Sequence, residues 1–385
     1  MTVSRLKMIP GIGVDRMGDA ADAQHNRHIL RLENLDTDLR PPAEAIRATH
    51  AAIDDDDANS YLPFTGQTAL REAVVARMQR TAGAVYDPAN ECIVSAGGLA
   101  GILNVLLSIL EPGDEVVLTD PTYAGLINRV RLVGGVPVFV RLVPGAAGWR
   151  LDLDSLAATV GRRTRAFLMV SPSMPGGFVA NAEEWNAIAD HCRRADAWLV
   201  YDAAMERILF DSREVIHPAA LPGMRERTMT VGSVSKEYRM IGWRVGWIVG
   251  PESIMADVRL TSLSNVVCQV GIGMPGATAA LTCADDGIAQ AVAEWQARRD
   301  CLLDALRGLP VVPPHGGWSL LIDTEQLGLA PQEASRLLLE KGEVAATAMS
   351  GWGPDAGRYL RFVFSNEPVA RLADIRERVR RAWGV

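Results

Sequence analysis

The stretch TMTVGSVSKEYRMIGWRVGW, residues 228–247, decides how the rest of the chain is read. TMTVG is a short apolar, β-branched strand pattern that delivers Ser233, Ser235 and Lys236 at its carboxyl end. Arg244 follows, bracketed by Gly242 and Gly246. Two hydroxyls and a guanidinium suit a phosphate dianion, because they offer directed donors to its oxygens. A lysine held in a dry pocket beside that cation stays partly neutral and therefore nucleophilic. Glycines on either side let the backbone pass close to a ligand. A lone lysine after a strand is ordinarily a surface residue, but the pattern S-x-S-K-x-x-x-x-x-G-x-R-x-G is far more specific.

Upstream of this stretch the chain alternates strand and helix patterns from about residue 90. ECIVSAGG and LAGILNVLLSIL are followed by EVVLTDPTY and GLINRVRLVGG, then by VPVFVRL, a helix capped near Asp152, and RAFLMVSP. NAEEWNAIADHCRRA, with Asn181 as its N-cap, leads to AWLVYDAA. Such alternation implies right-handed βαβ units, a mostly parallel sheet and ligands at the carboxyl ends of its strands. After about residue 275 the rhythm changes. A long helical stretch, ATAALTCADDGIAQAVAEWQARRDCLLDALRGL, precedes strands WSLLIDT and RYLRFVFS and a last helix. The expected architecture is α/β, with a large domain over residues 46–274 and a smaller α+β domain built from residues 1–45 and 275–385.

Composition narrows the function. The 385 residues are 48% hydrophobic and 22% charged, as in a globular enzyme. With 39 Lys plus Arg against 46 Asp plus Glu, the net charge of −7 disfavours phosphate backbones and anionic membranes, so neither nucleic acid nor membrane is expected as a partner. The five cysteines are scattered and contain no C-x-x-C pair, which predicts reduced thiols, no metal site and a soluble, cytoplasmic protein. No apolar run of membrane-spanning length is present.

Other residues converge on the same chemistry. SAGGLAG, residues 95–101, ends a strand and opens a helix, so its backbone N–H groups offer an anion site, although a Gly-rich turn by itself is more often simple strand-to-helix packing. Asp202 closes a strongly apolar strand, where a buried carboxylate needs a cationic partner.

Taken together these motifs resemble the class I/II aminotransferases, pyridoxal 5'-phosphate enzymes of fold type I, over about residues 29–385. The resemblance implies that Lys236 carries the cofactor as a Schiff base and moves the substrate proton. It implies that Gly98, Leu99, Ser233, Ser235 and Arg244 hold the cofactor phosphate, that Tyr123 stacks on the pyridine ring, and that Asp202 keeps the ring nitrogen protonated. Tyr61, in YLPFTGQTALR, matches a tyrosine that reaches the phosphate of the neighbouring subunit, so a homodimer with shared active sites is expected. Arg361, in GRYLRFVFS, matches the arginine that grips the substrate α-carboxylate. Its rival Arg358 falls on the opposite strand face. Substrates are then an amino acid and a 2-oxo acid.

Three positions depart from the family pattern. Met174 and Met205 stand where an asparagine and a tyrosine usually donate to the cofactor's phenolic oxygen, with Ser171 or Ser173 as replacement donors if the loop shifts by a residue, and Leu35 stands in place of a glycine often found near the substrate carboxylate. Loss of those donors leaves open another fold-type-I outcome, namely elimination, cyclisation or oxidation of an amino acid. A regulatory or structural role is a further alternative. The joint presence of Lys236, Asp202 and Arg244 argues against a dead scaffold.

Overall fold

The computed structural model describes residues 3–9 and 11–385, so residues 1, 2 and 10 of the segment assigned to the smaller domain lie outside the described residues. Its strands are β1 (Leu30–Arg31), β2 (Cys92–Ser95), β3 (Glu115–Asp120), β4 (Val136–Gly145), β5 (Gly148–Leu151), β6 (Thr164–Val170) and β7 (Trp198–Asp202). They continue as β8 (Thr228–Ser233), β9 (Gly246–Val249), β10 (Val311–Val312), β11 (Ser319–Asp323), β12 (Val344–Ala345), β13 (Thr347–Ala348) and β14 (Tyr359–Val363).

Eight strands form one sheet in the order β2-β9-β8-β7-β6-β3-β4-β5. The run from β8 through β7, β6 and β3 to β4 is parallel. Its central strands read as continuous apolar runs because both faces are covered: Val116–Leu118, Phe167–Met169, Leu199–Tyr201 and Met229–Val231 are all buried. Each such aliphatic side chain taken out of water contributes about 1.5–3 kcal/mol. The helix Gly98–Ile109 is apolar on most of its surface because it packs between the sheet and the helix Glu252–Val266. Asn181 caps Ala182–Ala195 with a full capping box to Glu184, and Asp152 caps Leu153–Thr159, both at the positions read from the sequence.

Three features depart from the simple βαβ reading. β4 folds back on β5 as an antiparallel hairpin, and β9 inserts antiparallel between β2 and β8. The long helical stretch after residue 275 is two helices, Met274–Thr282 and Ile288–Ala305, because Ala284-Asp285-Asp286-Gly287 interrupts it with Gly287 at φ 70°.

A second, four-stranded antiparallel sheet runs β10-β11-β14-β13. The chain's beginning joins this region: β1 pairs in parallel with β12, and Leu30 and Leu32 share a core with Trp318, Leu320, Phe362 and Phe364. The helix Ala43–Ile53 instead packs on Met274–Thr282, in a cluster that includes Cys92, Val94 and Trp247 of the large sheet.

Candidate active site

Five strands that point the same way, β2, β3, β6, β7 and β8, end at one cleft of about 280 Å³. Gly98 and Leu99 follow β2, Tyr123 follows β3, Met174 follows β6, Asp202 ends β7, and Ser233, Ser235 and Lys236 come from the end of β8. Arg244 lines the same cleft, and Arg361 enters from β14 of the second sheet. Nine of the ten residues singled out in the sequence therefore meet in one place.

The tenth, Tyr61, does not: its side chain is 82% exposed and away from the cleft. Arg358 points elsewhere, pairing with Asp323 at 2.6 Å. Ser171 and Ser173 do not line the cleft. Their hydroxyl oxygens accept from the backbone N–H groups of Ala180 and Phe178, both at 3.1 Å, so the expected replacement donors are turned inward.

The phosphate-type end is built by close backbone packing. Gly97 sits at φ 82°, and a Cβ there would lie 2.6 Å from Nη2 of Arg244. A Cβ on Gly246 would lie 2.6 Å from the carbonyl carbon of Gly97, so its lack of a side chain serves the seam between β2 and β9. Gly242 has open space around it, with no atom beyond its chain neighbours within 4 Å of where a Cβ would lie. Arg244 reaches Oγ of Ser235 at 3.4 Å, and the backbone N–H of Ser235 donates to Oγ of Ser233 at 3.3 Å. Arg129 braces the turn by donating to the Leu99 carbonyl at 2.9 Å.

Deeper in, Lys236 donates from Nζ to the Leu35 carbonyl at 2.9 Å and lies 4.9 Å from the ring centre of Trp318. Burial, opposed by Asp36 and reinforced by Arg361 and Arg244, brings its pKa down to about 8. Asp202 shows the converse. Burial raises its carboxyl to about 6, against the Ala204 N–H that donates to it at 3.1 Å.

Arg361 is 1% exposed and has no carboxylate partner: its guanidinium donates to the Glu33 carbonyl, touches Sδ of Met174 at 3.8 Å and lies 4.8 Å from the Trp352 ring centre. Nε of Arg361 has no partner, and burial pushes the group down to about 10. A buried guanidinium left unpaired at a cleft is an anion site. Tyr123 packs against Trp352 at 5.4 Å, and Gly125 leaves room for its ring.

Sequence reasoning missed part of the lining. Ile12 and Val14, from a segment far upstream of the first βαβ unit, close over the cleft, and the Ile12 carbonyl accepts from Nε1 of Trp352 at 3.1 Å. The flanking Gly11 and Gly13 were the available signal. Asn34 and Ile241 also line it.

A chain with this sheet and cleft is an α/β enzyme of fold type I, as its structural relatives are. It matches N-succinyldiaminopimelate aminotransferase from Mycobacterium tuberculosis with a TM-score of 0.91 and 32% identity, over 98% of this chain and 99% of that one. It matches aspartate aminotransferase from Thermus thermophilus, solved with maleate, at a TM-score of 0.90 and 26% identity over 99% of both chains. In sequence it is 32% identical over 358 residues to the arginine–pyruvate transaminase of Pseudomonas aeruginosa, covering 91% of this chain and 89% of that protein. Residues 30–378 match the model of the aminotransferase class I and II family, and the chain belongs to that family. It is a pyridoxal-phosphate-dependent aminotransferase.

The residues present fit that cofactor. Ser233, Ser235, Arg244 and the helix N-terminus at Gly98 supply donors for a dianion. Asp202 is a desolvated carboxylate with one backbone donor to it, and Lys236 is an amine whose pKa is brought down to about 8.

Proposed function

We propose that Lys236 is the residue that binds the cofactor and moves the proton at the substrate's α-carbon, with Arg361 as the receptor for the α-carboxylate. The observation that carries this reading is the unpaired, fully buried Arg361 sharing a cleft with a lysine whose amine is brought down to about 8. When bound, pyridoxal phosphate supplies an electron sink that makes the α-hydrogen acidic. The chain's own tasks are to orient and to transfer protons. Arg361 offers a planar pair of donors that fixes the carboxylate, and hence which bond at the α-carbon faces Lys236. Lys236, its pKa lowered to about 8 and its Nζ 4.9 Å from the Trp318 ring centre, takes that proton and returns it. Asp202 offers a negative charge to the ring nitrogen, and Tyr123 a flat apolar face. Gly98, Leu99, Ser233, Ser235 and Arg244 hold the phosphate.

In this reading the working unit is a homodimer, in which Tyr61 serves the neighbouring subunit's phosphate. Exposed apolar side chains support it: Tyr61 and Phe64 on one loop, and Val267 and Val270 on a segment packed against that loop, where a Cβ on Gly271 would lie 1.9 Å from the Ala58 carbonyl. The large unit, proposed over 46–274, takes in the helix ending at Thr282 as well, since Ala277 and Leu281 share its core. Five unpaired cysteines support a cytoplasmic, reducing setting. The experiment is to replace Arg361 by Leu. We expect KM for every amino acid to rise while cofactor retention is unchanged. Loss of cofactor with unchanged KM would reject the assignment.

A further inference from the structure

Around Arg361 the cleft is closed by apolar groups tied to one another. The Trp352 ring lies against the guanidinium, its Nε1 donates to the Ile12 carbonyl, and the side chains of Ile12 and Val14 pack onto the same core. Met174 touches Nη1 of Arg361, and Leu35, whose carbonyl accepts from Lys236, lines the same cleft. Among the described residues the cleft's charged side chains are Lys236, Arg244, Arg361 and Asp202. Each has a task in the reading above, so none is left for a charge on the substrate's own side chain.

The surroundings supply no substitute. In the neighbouring groove Asp36 is capped by the Thr37 N–H at 2.7 Å, Arg239 is held by the carbonyls of Arg40, Glu237 and Asp286, and Arg40 is exposed. The segments a second subunit would bring with Tyr61, residues 58–70 and 260–273, contain no Lys or Arg. A second carboxylate entering this cleft would therefore be desolvated without a cation, whereas an apolar side chain would displace water from apolar walls.

Resting on the amino-transfer reading, we propose that the enzyme selects amino acids and 2-oxo acids with uncharged, apolar side chains, and that Ile12, Val14 and Leu35 set this preference. The same cleft serves both half-reactions, so the preference extends to the acceptor: an apolar 2-oxo acid is taken before 2-oxoglutarate.

The test uses the full chain loaded with pyridoxal phosphate. The rate of 2-oxo acid release in the first turnover, before any acceptor is needed, is compared over a range of concentrations of leucine, phenylalanine, aspartate, glutamate, lysine and arginine, and binding of the unreactive 3-phenylpropanoate and maleate is measured by calorimetry. The expected result is a second-order rate constant for that first turnover at least about 100-fold higher for the apolar donors, with 3-phenylpropanoate binding more tightly than maleate. The variant Ile12→Arg, on an irregular segment, is expected to reverse the inhibitor order by about tenfold or more. A charged donor as fast as leucine, maleate binding more tightly than 3-phenylpropanoate, or an unchanged order in Ile12→Arg would overturn the proposal. If no amino acid yields an oxo acid, the amino-transfer reading fails, and the calorimetric ranking still decides the class of side chain the cleft accepts.

Discussion

Lys236 and Asp202 are shifted in opposite senses by one cause, the poor solvation of their charged forms at the strand ends. The signs fix a pH profile. Lys236 attacks as the neutral amine, so the rate at which it captures added cofactor rises about tenfold per pH unit below about 8 and levels above it, as stopped-flow absorbance would show. Asp202 loses its charge as pH falls through about 6, so cofactor affinity falls in that window. In Asp202→Asn the acid limb disappears and affinity drops roughly 10–100-fold at neutral pH, the worth of one hydrogen bond to a charged group. An acid limb retained in that variant would assign it to another group. In the cofactor-free protein the folded lysine lies below its ordinary value of 10.5, so its contribution to stability improves as pH rises from about 8 to that value.

The residue scale was also the most legible in sequence. Ser233, Ser235, Lys236 and Arg244 form a local pattern, and strand ends gather Gly98, Tyr123 and Asp202 by the ordinary logic of a parallel sheet. Ile12 and Val14 were not legible, because a segment that packs by a single backbone acceptor and two aliphatic side chains leaves no periodicity. Nor was the inward turn of Ser171 and Ser173, which depends on where the chain recrosses at Phe178 and Ala180.

Between elements, the loops after β7 and β8 are locked by a buried ion network. Arg77, on the helix Thr68–Ala82, donates to Glu206 at 2.6 Å and to Glu237 at 2.8 Å, and Arg207 donates to Glu237 at 2.7 Å. Glu237 follows Lys236 and Glu206 follows Met205 in the chain, so the network fixes the spacing between two walls of the cleft. Arg77→Met would leave the buried Glu206 without its cation and Glu237 with Arg207 alone, and cost about 3–5 kcal/mol, read as a lower urea midpoint. Adding Glu206→Gln, which removes the uncompensated charge, should recover part of that loss, and additive losses would show the pair to be uncoupled. At the other wall, Gly97→Ala places a Cβ against Arg244 at a left-handed backbone position, costing about 1–3 kcal/mol and weakening cofactor retention. Element identity came through where apolar runs or caps were strong, as at Asn181. It failed at β9, where a four-residue strand flanked by glycine pairs antiparallel only because β2 and β8 lie on either side.

For the whole molecule, the −7 charge disfavours a polyanion-binding surface, yet says nothing of the cleft, where three cations converge. The proposed dimer would instead assemble through two exposed neutral features, the loop around Tyr61 and the segment carrying Val267 and Val270. Sedimentation is expected to give twice the 41.6 kDa chain mass. Val270→Glu should shift the protein towards the single-chain mass and weaken cofactor retention together, since Tyr61 would then have no neighbour to serve. A stable dimer in that variant would place the interface elsewhere. No described helix is long and apolar enough to cross a membrane.

The most direct test of amino-group transfer by Lys236 is a single turnover of the cofactor-loaded chain with leucine and no acceptor, counting both products. One equivalent of 2-oxo acid per subunit with no free ammonia is expected, because the amino group stays on the cofactor, and Lys236→Ala should give neither product. Ammonia released in step with oxo acid, or turnover beyond one equivalent without an acceptor, would contradict transfer and point to elimination or oxidation.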